Sequence, residues 1–429
     1  MISGHDIIYI SSIEWNFLWQ VHQEIALRLA RAGNRVLYIE NTGVRSPGLR
    51  DASRVFSRLK HWATALRSRG FREAAPNVYV CSPLVLPPFG PRWQRRVNRR
   101  LLLPSIKRIA RDLGMRDPLL WTYLPTDNAM DLIRLLRTSN SALVYYCVAD
   151  FAQLTPHVQA LKLSEETVVR MCDLVFTNCA ELAAHCSQWS DDVHVFPPGV
   201  DLEAFPLSAI TNGNGVSDEV GVGVGAESDA ASLRSLPKPI IGYIGGLHRH
   251  VDLDLIAEMA SARPEWSWVF VGPFQTAVEK LNGLPNVHLL GARPHDELVA
   301  YMRSFDVCIV PYIKSAYTNT VVPVKVNEYL AVGKPVVSTK IPTVIEFNDR
   351  HNVLITAESR AEDFLQAIER ALQLPKDTAT ILRRREIAAL ADWQARLEAM
   401  SQLLEDKFKE KQRGAVEEEY ALSRKQKIS

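Results

Sequence analysis

The sequence predicts an α/β protein of two domains, each built on a doubly wound parallel sheet. Three observations carry that reading. The chain has 429 residues, more than one typical domain holds. Short apolar runs alternate along it with stretches of helical spacing, the order that builds parallel sheets with right-handed crossovers. A stretch of Gly, Ser and acidic residues at 208–236 divides the alternation into two series. A hydrophobic content of 47% and a charged content of 23% are ordinary for a soluble globular protein, and a net charge of +2 points to no class of partner.

The first series opens with an apolar strand at 7–10, a loop at 11–16 and a helix at 20–32. Val21, Ile25, Leu29 and Ala32 share one face of that helix, and Gly33 ends it. A second strand follows at 36–40. The first loop holds no G-x-G-x-x-G, which argues against a dinucleotide site there. Trp15 and Trp19 either stack on sugar rings or pack against the sheet edge. Residues 51–75 read as a polar, basic excursion with Trp62 and Leu66 at helical spacing, and 77–83 as a strand and its exit loop.

Arg92, Arg95, Arg96, Arg99, Arg100, Lys107, Arg108 and Arg111 then follow with no acid between them, interleaved with Trp93, Val97, Leu101, Leu102, Leu103, Ile106 and Ile109. Two readings stand: a basic amphipathic segment lying on an anionic bilayer, or a solvated helix with one buried face. Nucleic acid is the weaker candidate, because no recognised binding motif accompanies the arginines. Strands at 118–123 and 142–147 each run into a loop bearing an acid, Asp127 and Asp150. Strand ends carry the site in an open α/β sheet, so both are candidate bases, with His22 a third; for Asp150 a helix cap is the alternative. Strands at 173–178 and 193–196 close this half. The low-complexity stretch that follows holds too little apolar area to order itself and reads as a flexible insertion.

The second series begins at 239–244 with a strand leading into Gly245-Gly246, a pair that lets backbone approach a ligand. Strands at 268–271, ending in Gly272, and at 287–291 come next. The stretch around which the chain is organised is Pro323-Val324-Lys325-Val326-Asn327-Glu328-Tyr329-Leu330-Ala331-Val332-Gly333-Lys334-Pro335-Val336-Val337. It reads as a short helix, a turn and a buried strand. Pro323 suits the first turn, Gly333 the C′ position, and Pro335 prevents the helix resuming. A helix start facing the end of the preceding strand, 306–311, is a place for an anion, most often a phosphate. Lys325 adds a positive charge, and Glu328, one turn deeper, is placed to accept from two sugar hydroxyls. Amphipathic helices are predicted at 361–374 and 388–408, with a charged tail from Lys409.

This stretch resembles the signature of bacterial glycosyltransferases of the GT-B fold, the family-4-like group. Trp19-Gln20-Val21-His22-Gln23, Tyr145-Tyr146-Cys147-Val148-Ala149-Asp150 and Pro197-Pro198-Gly199-Val200-Asp201 resemble further segments of it, and the motifs look most like those of enzymes of teichuronic acid and related surface-polysaccharide assembly. The resemblance implies two Rossmann-like domains facing across a cleft: an acceptor-side domain at 1–206, an insertion at 207–236, a nucleotide-sugar domain at 237–376, and a C-terminal helix with its tail at 377–429 crossing back to the first. It implies transfer of a sugar from a nucleoside diphosphate sugar, UDP- or GDP-linked, to a sugar or lipid-linked hydroxyl acceptor, with no metal and no other cofactor. Glu328 would hold the ribose; Gly245, Gly246, Gly272, Arg249, Arg293 and Lys325 would line the donor, Arg249 and Lys325 facing the diphosphate and Arg293 lying near the base. Thr320 stands where many relatives carry a second Glu for the sugar, and Tyr146 and Ala149 stand where they carry acids. Trp15 and Trp19 would face the acceptor. A nucleotide-sugar epimerase of the same fold and a catalytically degenerate scaffold are the rival readings.

Six scattered cysteines lack a zinc spacing and read as buried thiols of a reducing compartment. No signal peptide or membrane-spanning run is apparent, so the expected location is cytoplasmic, with peripheral attachment at the inner membrane face through 92–111.

Overall fold

The computed structural model describes residues 1–40, 70–83, 85–205, 230 and 232–426. The chain divides into two compact units, Met1–Pro197 with Gln394–Ser429, and Pro198–Trp393.

The described strands of the first unit are β1 (Asp6–Ile10), β2 (Arg35–Ile39), β3 (Arg72–Ala75), β4 (Val78–Cys81), β5 (Leu119–Thr122), β6 (Leu143–Cys147), β7 (Leu174–Thr177) and β8 (Val193–Val195). They form one sheet in the order β3-β4-β2-β1-β5-β6-β7-β8. Every pairing is parallel except β3 with β4. Ile7, Ile8, Tyr9 and Ile10 are wholly buried, as central parallel strands covered on both faces require. The order reverses between β1 and β5, so the loops after these two strands flank a switch point. β3 falls inside the stretch expected to be an excursion. Its Arg-Glu-Ala-Ala has no apolar signal because it is an edge strand, paired antiparallel to β4 through a turn in which Asn77 takes φ 64°. The helical reading of Trp62 and Leu66 lies outside the described residues.

The second unit carries β9 (Ile240–Ile244), β10 (Ser267–Val271), β11 (Val287–Gly291), β12 (Val307–Val310), β13 (Val336–Thr339) and β14 (Ile355–Ala357). They pair in parallel in the order β11-β10-β9-β12-β13-β14, which puts the switch point between β9 and β12. Most of the insertion expected at 207–236 lies outside the described residues. Its far end does not behave as a free linker, since Ala230 and Leu233 are buried in the second unit's core.

The predicted helix at 388–408 divides. One helix is Thr378–Ala389 and the next is Trp393–Gln426, and the first unit resumes only at Gln394. Thr378–Ala389 therefore belongs with the second unit, not with the returning segment expected from 377. Arg384 explains why: its buried guanidinium donates to the Gly333 carbonyl at 2.9 Å, and Arg385 donates to that of Ala331 at 3.2 Å, tying this helix to the end of Val324–Ala331. Trp393, Leu397, Met400 and Leu404 are buried, as their spacing predicts. Further along, Phe408 stacks on His5 at 4.5 Å, and Lys407 and Lys411 pair with Asp192 and Asp173 beside β8 and β7, each at 2.9 Å.

Candidate functional site

The helix Val324–Ala331 starts after Pro323 and ends as predicted. Gly333 takes φ 75°, its amide bonds the Leu330 carbonyl at 2.9 Å, and the Lys334 amide bonds that of Tyr329 at 2.9 Å. This double closure satisfies the helix's last carbonyls. At the other end, the Val326 amide turns back to the Pro323 carbonyl at 3.1 Å, and the amides of Val324 and Lys325 precede the first helical bond. The helix is fixed to the sheet by Tyr329, whose hydroxyl accepts from the Ile244 amide at 2.8 Å, the last residue of β9.

β9 then runs into Gly245 and Gly246. Gly245 has φ 136° and Gly272, after β10, has φ 149°. A Cβ on Gly272 would stand 2.1 Å from the Gly245 carbonyl oxygen, so the two loops meet backbone to backbone. Lys325 comes to the same place from the helix. Its Cε lies 3.1 Å from the position a Gly245 Cβ would occupy, its Nζ donates to the Tyr312 hydroxyl at 2.7 Å, and it sits over the rings of Tyr243 and Tyr312, 5.0 and 5.2 Å from their centroids. Burial works against the ammonium, but Tyr243, Tyr312 and Glu328 outweigh it and hold its pKa above the usual lysine value. Glu328 keeps partial exposure, and among the described residues no hydrogen bond reaches its carboxylate. Burial raises its pKa, with His295 and Lys325 pulling the other way. Beside it, the Oδ1 of Asn327 is buried without a hydrogen-bond partner. An ammonium and a partly exposed carboxylate, Lys325 and Glu328, thus lie one helical turn apart beside the switch point of the sheet, with the unpartnered Asn327 oxygen buried next to them.

The other donor candidates take varied positions. Arg249 is exposed and donates to His250 Nε2 at 3.1 Å. His248, next to it, turns inward: burial and then the charges of Lys325, His250 and Arg249 lower its pKa to about 4, so it is neutral at pH 7. Arg293 donates to the Tyr301 hydroxyl at 3.0 Å. Thr320 is buried, and its hydroxyl donates to the Tyr317 carbonyl at 3.1 Å; Tyr317 in turn stacks on His250 at 4.2 Å.

In the first unit, aromatic residues gather where β1, β2, β5 and β6 end. Tyr9 and Tyr123 share a hydrogen bond through their hydroxyls, Tyr38 bonds Ser11 at 2.7 Å, and Tyr146 packs on Tyr123 at 5.4 Å. His22 joins them, its ring 3.8 Å from that of Tyr123, with Nε2 3.0 Å from the Ser12 hydroxyl and Nδ1 buried without a partner. Burial lowers its pKa to about 3. Trp15 is 8% exposed and packs edge-on against Tyr38 at 5.1 Å, its amide held by Glu40 at 2.6 Å. Trp19 is half-buried and donates to Glu24 at 2.7 Å. Asp150 caps the turn Phe151–Leu154 through the Ala152 amide at 3.0 Å. Asp127, its pKa raised by burial, accepts from the amides of Phe89 at 3.2 Å and Asn128 at 2.9 Å. It anchors a loop in which Phe89 takes the left-handed φ of 59°.

Comparison with known proteins bears on the second unit first. Residues 238–374 match the family model of group 1 glycosyl transferases. This region holds β9 to β14, the paired glycines, Lys325 and Glu328. A candidate teichuronic acid biosynthesis glycosyltransferase of Bacillus subtilis (strain 168), TuaH, is 33% identical over 184 residues, 42% of this chain and 46% of that one. The chain therefore spans about half the length of the curated relative it matches. Among solved structures, sucrose-phosphate synthase from Thermosynechococcus elongatus has a TM-score of 0.66 at 18% identity, covering 94% of this chain and 99% of its own. HepE of Anabaena, solved with UDP and glucose, has a TM-score of 0.60 at 15% identity, covering 93% and 99%. The fold is that of the GT-B glycosyltransferases.

Sequence reading missed Tyr329, Tyr312, Tyr243, His248 and His295. Tyr329 lies inside the organising stretch and carried a signal in its spacing from Lys325. The two other tyrosines reach the site from a strand and a post-strand loop, and no local pattern marks them.

Proposed function

We propose that this chain is a glycosyltransferase that moves a sugar from a nucleoside diphosphate sugar to a hydroxyl acceptor. The anomeric C–O bond to the diphosphate breaks, a bond from the acceptor oxygen to that carbon forms, and the acceptor proton passes to a base or to the departing phosphate oxygen. The observation that carries this reading is the convergence of Lys325 on the Gly245 backbone at the start of Val324–Ala331, with Glu328 open one turn deeper. Lys325 and the helix start would stabilise the negative charge that develops on the leaving diphosphate. Glu328 would accept from the ribose hydroxyls. Arg249 and Arg293 would come to the donor only by leaving His250 and Tyr301.

The family match and the GT-B fold support the reaction class. HepE binding UDP and glucose supports a nucleotide-sugar donor, and the TuaH relative supports an acceptor in surface-polysaccharide assembly. Such acceptors are often lipid-linked, which would place the chain at the inner face of the cell membrane. Of the candidate bases, His22 is neutral and has a free nitrogen, whereas Asp127 and Asp150 already hold backbone amides.

Calorimetric titration with UDP-, GDP- and ADP-sugars tests the reading. One nucleotide series should bind, and Glu328→Ala should weaken it while inorganic pyrophosphate binding is unchanged. Failure of every nucleotide sugar to bind would leave a scaffold, and turnover of the donor without any acceptor would mark an epimerase.

A further inference from the structure

We propose that the segment running from Arg92 to Arg111 docks this chain on an anionic lipid surface, with Trp93 and Leu101 entering the interface. The segment is a helix, Arg92–Val97, a π-helical turn, Asn98–Leu102, and a second helix, Leu103–Asp112. Leu103, Ile106, Ile109 and Ala110 are buried, so the face that holds it to the unit is accounted for. Among the described side chains of the stretch, Trp93 at 58% and Leu101 at 69% are the most exposed large apolar ones. Arg92, Arg96, Arg100, Lys107 and Arg108 surround them, all exposed, and among the described residues no acid pairs with any of the five. Arg95 differs, being engaged by Asp131 through two bonds of 2.7 Å.

The surface is also rigidly presented. Asn98, at the start of the π turn, is 1% exposed, accepts from the Leu86 amide at 2.9 Å and donates to the Leu86 carbonyl at 3.0 Å and to Asn128 at 2.8 Å. The cations and apolar residues that follow it are thus held in place before any partner arrives. Unpaired cations alone would suit any polyanion. A large aromatic and a leucine projecting among them favour a bilayer, whose interfacial zone takes apolar side chains while its headgroups meet the arginines. A phosphate backbone offers Leu101 nothing. Laid flat, the segment is about 30 Å long, enough to engage several lipids at once.

The proposal stands apart from sugar transfer, and its test needs no nucleotide. The full chain is sedimented with vesicles of phosphatidylcholine and with vesicles in which about a third of the lipid is phosphatidylglycerol. Binding to the second and not the first is expected, declining as salt rises. Each reversed cation should weaken partitioning by at least about fivefold, so Arg96→Glu with Arg100→Glu and Arg108→Glu should lose about a hundredfold or more. Trp93→Ala with Leu101→Ala should weaken it several-fold without altering the salt dependence. All five side chains are exposed, so the far-ultraviolet spectrum and melting temperature should not change. Equal binding to both vesicle types, or binding untouched by both variants, would overturn the proposal. So would retention on single- or double-stranded nucleic acid with no sedimentation on anionic vesicles.

Discussion

The hydroxyl of Tyr329 accepts the amide of Ile244 at 2.8 Å, joining the middle of the helix Val324–Ala331 to the last residue of β9. One residue later the chain becomes Gly245. The position of Lys325 and Glu328 relative to the glycine loop therefore depends on this buried hydroxyl, which also donates to the Ile244 carbonyl at 3.5 Å. Tyr329→Phe removes it and leaves the Ile244 amide without a partner, at a cost of about 1–3 kcal/mol. Urea unfolding should show that loss, and the affinity for whichever nucleotide sugar binds should fall with it, although Tyr329 would touch no nucleotide. An unchanged affinity would mean that the bond does not position the site.

Lys325→Met keeps the aliphatic stem between the two tyrosine rings and removes the charge. Turnover at saturating donor should drop about 10²–10³-fold if the ammonium stabilises the leaving diphosphate. A rise in KM alone, with kcat preserved, would show that it binds donor and transition state equally.

Gly272→Ala places a methyl 2.1 Å from the Gly245 carbonyl oxygen, at φ 149°. Neither backbone can retreat without breaking a strand end, because the Gly245 amide bonds Val271 and the Gly272 amide bonds Gly291, each at 2.8 Å. A destabilisation of about 3 kcal/mol or more is expected, visible as a lowered melting temperature. A variant as stable as the parent would show that the two loops are free to separate.

His22 gives a pH prediction. Its folded pKa, about 3, lies below the ordinary value of 6.5 because burial disfavours the charged ring. The unfolded chain binds the proton first, so the stability that the neutral ring contributes is full above pH 6.5 and is lost as the pH falls toward 3. The steepest slope is about 1.4 kcal/mol per pH unit. His22→Asn should lose less stability than the parent between pH 7 and about 5. Parallel curves would place the acid sensitivity elsewhere.

Most of the architecture was legible in the chain because parallel strands advertise themselves. Runs such as Ile7-Ile8-Tyr9-Ile10 and Val336-Val337 are apolar on both faces, and Gly333 names its own helix end. β3 was not legible, since an edge strand of Arg, Glu and Ala buries too little to leave a pattern. The break between Thr378–Ala389 and Trp393–Gln426 was hidden for a different reason: both sides are helical, and what separates them is the tertiary pairing of Val200 with Asp392 and the capping by Arg384. At the site, spacing placed Lys325 and Glu328 on one helix. It did not tell which residue of His248-Arg249-His250 turns inward, because that depends on packing against Tyr312 and Tyr317 rather than on charge.

The two phenol faces around Lys325 have a consequence for how an anion would enter. The ammonium already has a short polar contact and two π clouds as neighbours before any ligand is present, so neutral rings take over much of the role that a hydration shell plays for an exposed lysine. An arriving diphosphate would then swap one neutral neighbour for a charged one, and the ammonium would stay charged and held in place before the anion arrives.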